Sequence, residues 1–319
     1  MEKTFVNFLG ASGLDASLQS VLNEIVNVFP QVAKALKTSQ LGYADTQNVY
    51  GEQQLKLDVY TNNLFVDALQ KNEHVSSLAS EELEEEIVCG AGEDGFSVGF
   101  DPLDGSSLVD VNLAVGSIFG VYKGKGFIGR KGSEQVAALI AVYGPRLTFM
   151  ISVGGEVLEF SYHDEQKQFV QSGVMKVAEE KKMFAPGNLR ACSSEEWYVK
   201  LLEFWVRNEY TLRYSGGMVP DVNQILRKGG GVFTYPGYQE KPDGKLRLLY
   251  ECAPMAYLME KAGGAAMYGV VGEKGVAGEA SQVAKGRILD LPLTKLDQRT
   301  PIFLGSKKEV EKALEFIKA

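Results

Sequence analysis

An acidic turn at residues 100–107 carries the side chains best suited to chemistry. Its sequence is Phe100-Asp101-Pro102-Leu103-Asp104-Gly105-Ser106-Ser107. Asp101 and Asp104 stand on either side of Pro102, which fixes the turn. Both carboxylates can therefore converge on one point with the carbonyl of Leu103. Gly105, Ser106 and Ser107 can present N–H groups and hydroxyls to a phosphate oxygen. This pattern indicates a Mg²⁺–phosphate site, and the alternative is an ordinary acidic turn.

A run of glutamates follows a short predicted strand at residues 75–79. Five of the six residues from Glu81 to Glu86 are glutamates, and such a run ordinarily forms a solvated face. Adjacent carboxylates at Glu81 and Glu82 would repel each other unless a cation lies between them. Two interpretations are therefore open for this pair, a metal site or a solvated face. The glutamates at 84–86 are expected to be solvated.

Basic and aromatic residues in the second half are candidates for binding an anion. Lys245 and Arg247 alternate on a predicted strand at residues 246–251, so both side chains would point to one face. Such a pair forms either an exposed edge or a phosphate clamp. Tyr214 and Tyr235 belong either to the core or to a ligand site.

The composition excludes several classes of protein. The 319 residues carry 41 acidic and 33 basic side chains, a formal charge of −8, whereas nucleic-acid binding needs a basic surface. Apolar runs reach only about eight residues, far short of the roughly 20 that span a bilayer. Three widely spaced cysteines and two histidines exclude a disulfide framework and a zinc site built on several imidazoles. No signal-peptide pattern begins the sequence, so we expect a cytoplasmic protein with neither nucleic acid nor membrane as a partner.

The hydrophobic periodicity predicts two halves that meet near residue 180. Helices are predicted at residues 14–36, with a break or a kink at Pro30, and at residues 52–70. Several short strands follow, so the first half, residues 1–180, is predicted to combine helices with a largely antiparallel sheet. Strands and helices alternate in residues 181–319, which is typical of a layered α/β domain.

Four segments together resemble the Mg²⁺-dependent sugar-phosphatase superfamily of inositol monophosphatases and fructose bisphosphatases. The signature is D-P-L-D-G-S at residues 101–106, joined by S-E-E at 80–82, K-L-D at 56–58 and the late glutamate Glu251. The segment at residues 251–257 differs from the W-D-x-A-A-G of inositol monophosphatases. The chain is therefore identified as similar to the class I sugar bisphosphatases. The resemblance implies an α/β (α+β) fold layered as an αβαβα sandwich, with a first domain carrying most metal ligands.

The resemblance also implies a role for each matching residue. Two or more Mg²⁺ ions, for which Mn²⁺ could substitute, would be held by Glu81, Glu82, Asp101, the Leu103 carbonyl, Asp104, Glu251 and Asp58. Glu82 and Asp58 would orient and deprotonate the attacking water, with Glu81 beside them. Glu52 occupies a position where the family often has Asp. The scissile 1-phosphate would be held by Asp104, Gly105, Ser106 and Ser107. The sugar and its distal phosphate would be bound by Asn188, Arg213, Tyr214, Tyr235, Lys245 and Arg247. Arg213 resembles an arginine that reaches a neighbouring subunit's site, which implies a homodimer or homotetramer.

The second half also indicates a substrate. The segments M-F-A-P-G-N-L-R-A at 183–191 and Y-T-L-R-Y-S-G-G-M-V-P-D-V-N-Q at 210–224 look like those of sedoheptulose-1,7-bisphosphatases. Tyr235-Pro236 and residues 249–264 look like those of fructose bisphosphatases instead. We therefore expect hydrolysis of the 1-phosphate of sedoheptulose 1,7-bisphosphate, with fructose 1,6-bisphosphatase or dual specificity as the alternative.

Two departures from the family predict that the enzyme lacks two known kinds of regulation. Residues 41–52 contain no cysteine, whereas chloroplast relatives carry a redox-sensitive pair there. Gly95-Phe96 stands where AMP-inhibited relatives carry Lys-Tyr. We expect full activity after oxidation and in the presence of AMP, measured as phosphate release from a sugar bisphosphate. Strong inhibition by either treatment would contradict the prediction.

Overall fold

The computed structural model describes residues 3–38, 43–47, 53–271 and 283–317. Within these ranges the α-helices are α1 (Phe5–Ala11), α2 (Ala16–Thr38), α3 (Lys56–Gln70), α4 (Glu196–Arg207), α5 (Met218–Lys228), α6 (Ala253–Lys261) and α7 (Lys307–Glu315). The strands of the first half are β1 (Tyr43–Gln47), β2 (Gln53–Leu55), β3 (Val75–Ser80), β4 (Ile87–Val88), β5 (Phe96–Asp104), β6 (Val115–Lys123), β7 (Gln135–Tyr143), β8 (Leu147–Ser152), β9 (Val157–His163) and β10 (Gln168–Met175). Those of the second half are β11 (Met183–Pro186), β12 (Thr211–Leu212), β13 (Val232–Tyr235), β14 (Ala265–Val271), β15 (Val283–Arg287) and β16 (Ile302–Gly305).

The larger sheet has the strand order β10-β9-β8-β7-β6-β5-β3-β4. Its neighbouring strands are antiparallel except β3 and β5, which run parallel. In that parallel pair Ser80 lies beside Phe100. The next residues, Glu81 and Asp101, therefore reach the same end of the sheet side by side.

Helices and sheets alternate in five layers. The apolar faces of α1, α2 and α3 pack on one face of the larger sheet, where Phe29, Phe65 and Phe119 belong to one buried cluster. Helices α5 and α6 lie between the two sheets, since each contacts strands of both. The smaller sheet, in the order β12-β11-β13-β16-β14-β15, shares a buried cluster with α4 and α7. The predicted αβαβα sandwich is confirmed, because apolar faces on both sides of each sheet demand a helical cover.

Several sequence predictions differ from the structure in detail. Helix α2 continues through Pro30 to Thr38, so a break at Pro30 is wrong, and a kink there stays a prediction. The helix buries a long apolar face, on which Phe29 and Val32 are fully enclosed. The stabilisation from this burial offsets the loss of the single hydrogen bond that proline removes. The second helix begins at Lys56 after strand β2, and Glu52 lies outside the described residues. Division into two domains at residue 180 stays a prediction. None of the helices in the described ranges is long and apolar enough to cross a membrane.

Candidate active site

A cavity of about 420 Å³ opens where the ends of β3 and β5 meet the second half of the chain. Its lining includes the predicted metal ligands Asp58, Glu81, Glu82, Asp101, Leu103, Asp104 and Glu251. Of the predicted substrate contacts it also includes Gly105, Ser106, Ser107, Tyr214, Tyr235, Lys245 and Arg247. Asn188 and Arg213 are not among the lining residues. The structure thus brings together most residues that the sequence singled out.

Three carboxylates at the floor of this cavity form a compact cluster. Glu81, Asp101 and Glu251 each offer an oxygen, and these oxygens lie within 4.8 Å of one another. The parallel strands bring the first two together, and the Glu81 N–H donates to the Phe100 carbonyl at 3.1 Å. Glu251 arrives from the turn that precedes α6. Carboxylates at this spacing can hold a divalent cation.

Burial makes this cluster electrostatically unfavourable without a cation. Desolvation, together with the charges of Glu81 and Asp104, holds the pKa of Asp101 well above its usual value. Burial and the charge of Glu81 likewise raise the pKa of Glu251 to about 8. Glu81 Oε2 is buried and accepts no hydrogen bond from the described residues. An unsatisfied carboxylate oxygen beside two others fits a divalent cation as the missing partner.

Asp104 lies beside this cluster but is held by the start of helix α5. Its carboxylate accepts hydrogen bonds from the N–H groups of Met218, at 3.3 Å, and Val219, at 2.7 Å. These are the first unpaired donors of the helix, where the helix dipole also favours an anion. Burial nevertheless raises the pKa of Asp104 to about 7. Sequence reasoning missed this contact, because it joins residues 114 positions apart.

Gly105 turns the chain from β5 into the serines that line the cavity. Its φ of 76° lies in the left-handed region that glycine adopts without strain. A side chain here would also approach Gly217 Cα to 3.3 Å. The predicted cradle of Gly105, Ser106 and Ser107 therefore packs closely against the segment that begins α5.

The segment after Lys245 is not the predicted strand. Residues Leu248–Cys252 form a single π-helical turn, in which the N–H groups of Glu251 and Cys252 both donate to the Arg247 carbonyl. The apolar residues 248–250 are all buried, whereas a half-exposed strand would alternate. The strand prediction is wrong, and so is the common face expected for Lys245 and Arg247.

Arg247 is turned into the carboxylate cluster. Its side chain is only 2 % exposed, its Nη1 contacts Glu81 Oε1, and its own N–H donates to Glu251 Oε2 at 2.6 Å. Lys245 is exposed at the cavity instead. The two residues therefore occupy different electrostatic environments, and substrate binding by Arg247 stays a prediction.

The remaining predicted substrate contacts fall into two groups. Tyr214 is 45 % exposed at the cavity, which excludes the alternative of a core residue, and Tyr235 is half-buried beside it. Asn188 Nδ2 donates to the Pro236 carbonyl at 2.6 Å, so this side chain ties two loops together. Arg213 is exposed next to Tyr214.

Asp221 is a further buried carboxylate that sequence reasoning did not single out. It accepts a hydrogen bond from the Ser215 N–H at 2.8 Å, and burial raises its pKa to about 6. It thereby holds the loop that leads from Tyr214 into α5. The only sequence signal is its place in the conspicuous segment at 210–224.

Comparisons with known proteins show the family of this chain. The family models described as "Fructose-1-6-bisphosphatase, N-terminal domain" and "Fructose-1-6-bisphosphatase, C-terminal domain" match residues 4–173 and 177–318. The class 1 fructose-1,6-bisphosphatase of Geobacter metallireducens is 43 % identical over 308 residues, covering 96 % of this chain and 92 % of that protein. The chloroplastic sedoheptulose-1,7-bisphosphatase of Spinacia oleracea is 38 % identical over 307 residues, covering 95 % of this chain and 75 % of that protein.

Solved structures show the same likeness. Fructose-1,6-bisphosphatase of Leishmania major in its holo form has a TM-score of 0.88 at 31 % identity, covering 99 % of both chains. A putative sedoheptulose-1,7-bisphosphatase of Toxoplasma gondii has a TM-score of 0.85 at 32 % identity, covering 98 % of both. The chain therefore belongs to the fructose-1,6-bisphosphatase family, which confirms the resemblance of its D-P-L-D-G-S segment. Within that family it is a sugar bisphosphatase.

Removing the Asp104 carboxylate should abolish turnover while leaving the fold largely intact. We expect Asp104→Ala to lower kcat/KM by about 10²-fold to 10³-fold or more, because a predicted metal ligand is lost. The free energy of unfolding should fall by only about 1 kcal/mol, since two N–H groups of α5 lose their acceptor. Phosphate release and denaturant unfolding measure the two effects. Asp110→Ala, a change at an exposed carboxylate in the same loop, is the control. Near-normal activity of Asp104→Ala would contradict the site.

Divalent cations should stabilise the protein more at high pH than at low pH. The buried carboxyls have pKa values raised above the roughly 4 of an unfolded chain, so the folded state holds more protons between about pH 4 and 8. Without metal the free energy of unfolding should therefore fall as pH rises through this window. A cation removes the penalty, so Mg²⁺ should raise Tm by a few degrees near pH 8 and by less near pH 5.

Thermal unfolding with chelator and with Mg²⁺ at both pH values measures this dependence. The matched control is Glu251→Gln, which keeps an acceptor for the Arg247 N–H but removes the titrating group. This variant should show a smaller pH slope without metal and a smaller stabilisation by Mg²⁺. Equal stabilisation of the wild type at both pH values would refute the assignment.

Proposed function

We propose that this enzyme hydrolyses the 1-phosphate of fructose 1,6-bisphosphate with Mg²⁺ and accepts sedoheptulose 1,7-bisphosphate as a second substrate. The proposed preference between the two substrates rests on the similarity of this chain to bacterial class 1 fructose-1,6-bisphosphatases. The Geobacter metallireducens enzyme is 43 % identical and matched over 92 % of its length, against 38 % and 75 % for the spinach sedoheptulose enzyme. This order reverses the one expected from residues 183–224.

The cation is held by the carboxylate cluster. Glu81, Asp101 and Glu251 supply oxygens within 4.8 Å of one another, and Asp104 and the Leu103 carbonyl line the same cavity. A donor set made wholly of oxygens, most of them charged, suits Mg²⁺. When bound, Mg²⁺ neutralises the negative charge that the phosphate and the carboxylates bring together.

The attacking water is oriented and deprotonated by Asp58 and Glu82. Asp58 lies on α3 and is 6 % exposed, and Glu82 is the second residue after the end of β3. Both residues line the cavity. A carboxylate within reach of the water accepts its proton as the bond to phosphorus forms.

The scissile phosphate is held by the turn from Asp104 to Ser107. The left-handed Gly105 allows the chain to present the groups of Ser106 and Ser107 to the cavity. N–H groups and hydroxyls arranged in this way stabilise phosphate oxygens as charge develops on them.

The distal phosphate and the sugar contact lining residues from the second half of the chain. These are Tyr214, Tyr235 and Lys245, of which the exposed Lys245 supplies a positive charge. Asn188 donates to the Pro236 carbonyl and so holds the loop next to Tyr235. Arg213 is exposed between the exposed residues Leu212 and Tyr214, which supports its assignment to a neighbouring subunit's site in a homodimer or homotetramer.

Side-by-side kinetics test the choice of substrate. We expect phosphate release from both bisphosphates, with kcat/KM for fructose 1,6-bisphosphate about tenfold higher or more, since one added CHOH unit can change transition-state binding by about 1–3 kcal/mol. Phosphorus NMR of the products should show that the distal phosphate is retained. Asp110→Ala again serves as the unaffected control. A kcat/KM that favours sedoheptulose 1,7-bisphosphate would overturn the proposed order.

A further inference from the structure

A buried asparagine on α3 makes a contact that the proposed roles do not explain. Asn62 lies four residues, or about one helical turn, after Asp58, so both side chains are on the same face of the helix. Each is nearly enclosed, with 5 % and 6 % of its surface exposed. A polar side chain that is buried to this extent costs free energy unless it is hydrogen-bonded.

The partner of Asn62 is the serine that precedes the glutamate pair. Ser80 Oγ donates to Asn62 Oδ1 at 2.7 Å and accepts from the Glu82 N–H at 3.2 Å. The hydroxyl thus donates once and accepts once, which is a chemically consistent arrangement. A continuous chain of hydrogen bonds therefore leads from the Glu82 backbone to α3, the helix that carries Asp58.

This chain of hydrogen bonds anchors the turn that carries the glutamate pair. Glu81 belongs to the carboxylate cluster with Asp101 and Glu251, whose oxygens lie within 4.8 Å of one another, so a shift of this turn would change the cluster as well as the position of Glu82. The Glu81 N–H donates to the Phe100 carbonyl, and the Glu82 N–H donates to Ser80 Oγ. A neutral acceptor at position 62 holds the turn without adding another negative charge.

We propose that Asn62 is a positioning residue that fixes the distance between Asp58 and Glu82. The inference rests on the proposed function, in which these two carboxylates act on one water. Because Asn62 and Asp58 share one rigid helix, the hydrogen bond to Ser80 ties the position of Glu82 directly to that of Asp58. Misplacement of a reacting group by about 1 Å can cost about 10²-fold in rate.

The test compares four variants by kcat, KM and thermal stability with fructose 1,6-bisphosphate and Mg²⁺. They are Asn62→Ala, Ser80→Ala, the double variant and the control Asn63→Ala, which truncates an exposed asparagine on the same helix. Each single variant should lower kcat by about 10-fold to 100-fold and leave KM within about twofold, because the residues that contact the sugar lie on other segments. Asn63→Ala should match the wild type.

The double variant shows whether Asn62 and Ser80 affect kcat through one shared interaction or through two independent ones. If Asn62 acts through Ser80, the double variant should be no slower than the slower single variant, because one interaction is removed only once. Losses that multiply in the double variant would overturn the inference. So would an unchanged kcat, or a fall in stability without a fall in kcat.

The remaining outcomes are equally decisive. Ser80→Ala removes a single oxygen, so its kcat alone decides the test if Asn62→Ala does not fold. Loss of the folded state in both variants would show that the contact serves the fold and not the reaction. If the wild type is active and the variants keep its kcat, the positioning role of Asn62 is refuted and the proposed function stands. A wild type that hydrolyses neither sugar bisphosphate would refute the proposed function as well.

Discussion

Mutual repulsion among buried carboxylates is the constraint on which the rest of this site depends. Glu81, Asp101 and Glu251 bring their oxygens within 4.8 Å of one another at the floor of a cavity. Burial strengthens this repulsion, since the interior screens charge far less than water does. Desolvation, with the neighbouring carboxylates as a second cause, raises the pKa values of Asp101 and Glu251. A fold that keeps these groups in place must oppose their separation from several directions.

The fold opposes that separation with contacts from separate layers. The parallel pairing of β3 with β5 sets Glu81 beside Asp101, in a sheet whose other neighbouring strands are antiparallel. Helix α5, packed between the two sheets, points its first N–H groups at the Asp104 carboxylate. The guanidinium of Arg247 meets Glu81 from the turn before α6. The site is therefore built by both halves of the chain, and neither half alone supplies all of these contacts.

The sequence predicted which residues belong to the site better than it predicted which residues contact one another. The D-P-L-D-G-S segment and the glutamate pair were recognisable because proline, glycine and adjacent carboxylates are local signals. The partners of Asp104 and Arg247 lie 114 and 166 residues away, and no local pattern could reveal them. Residues 246–251 looked like a strand because polar and apolar side chains alternate from Lys245 to Leu248. Residues 248–252 are nevertheless all buried, and two of their N–H groups donate to one carbonyl in a π-helical turn. The αβαβα sandwich was predictable through the resemblance of the D-P-L-D-G-S segment. Periodicity alone indicated helices with a largely antiparallel sheet, followed by a layered α/β half.

The same burial that makes the carboxylates costly to assemble makes a bound cation effective. In a poorly screened cavity, a divalent charge interacts more strongly with a phosphate than it would in water. The net charge of −8 is therefore no obstacle to an anionic substrate, because the field inside the cavity is set by groups within a few ångströms, and distant surface charges are screened over about 10 Å. The exposed Lys245 lines the same cavity and adds a positive charge there. In the proposed function, one phosphate of the sugar would lie at the cation, and the ammonium of Lys245 would be available to the other. The local charges of the cavity, rather than the net charge of the chain, would then decide whether an anionic substrate binds.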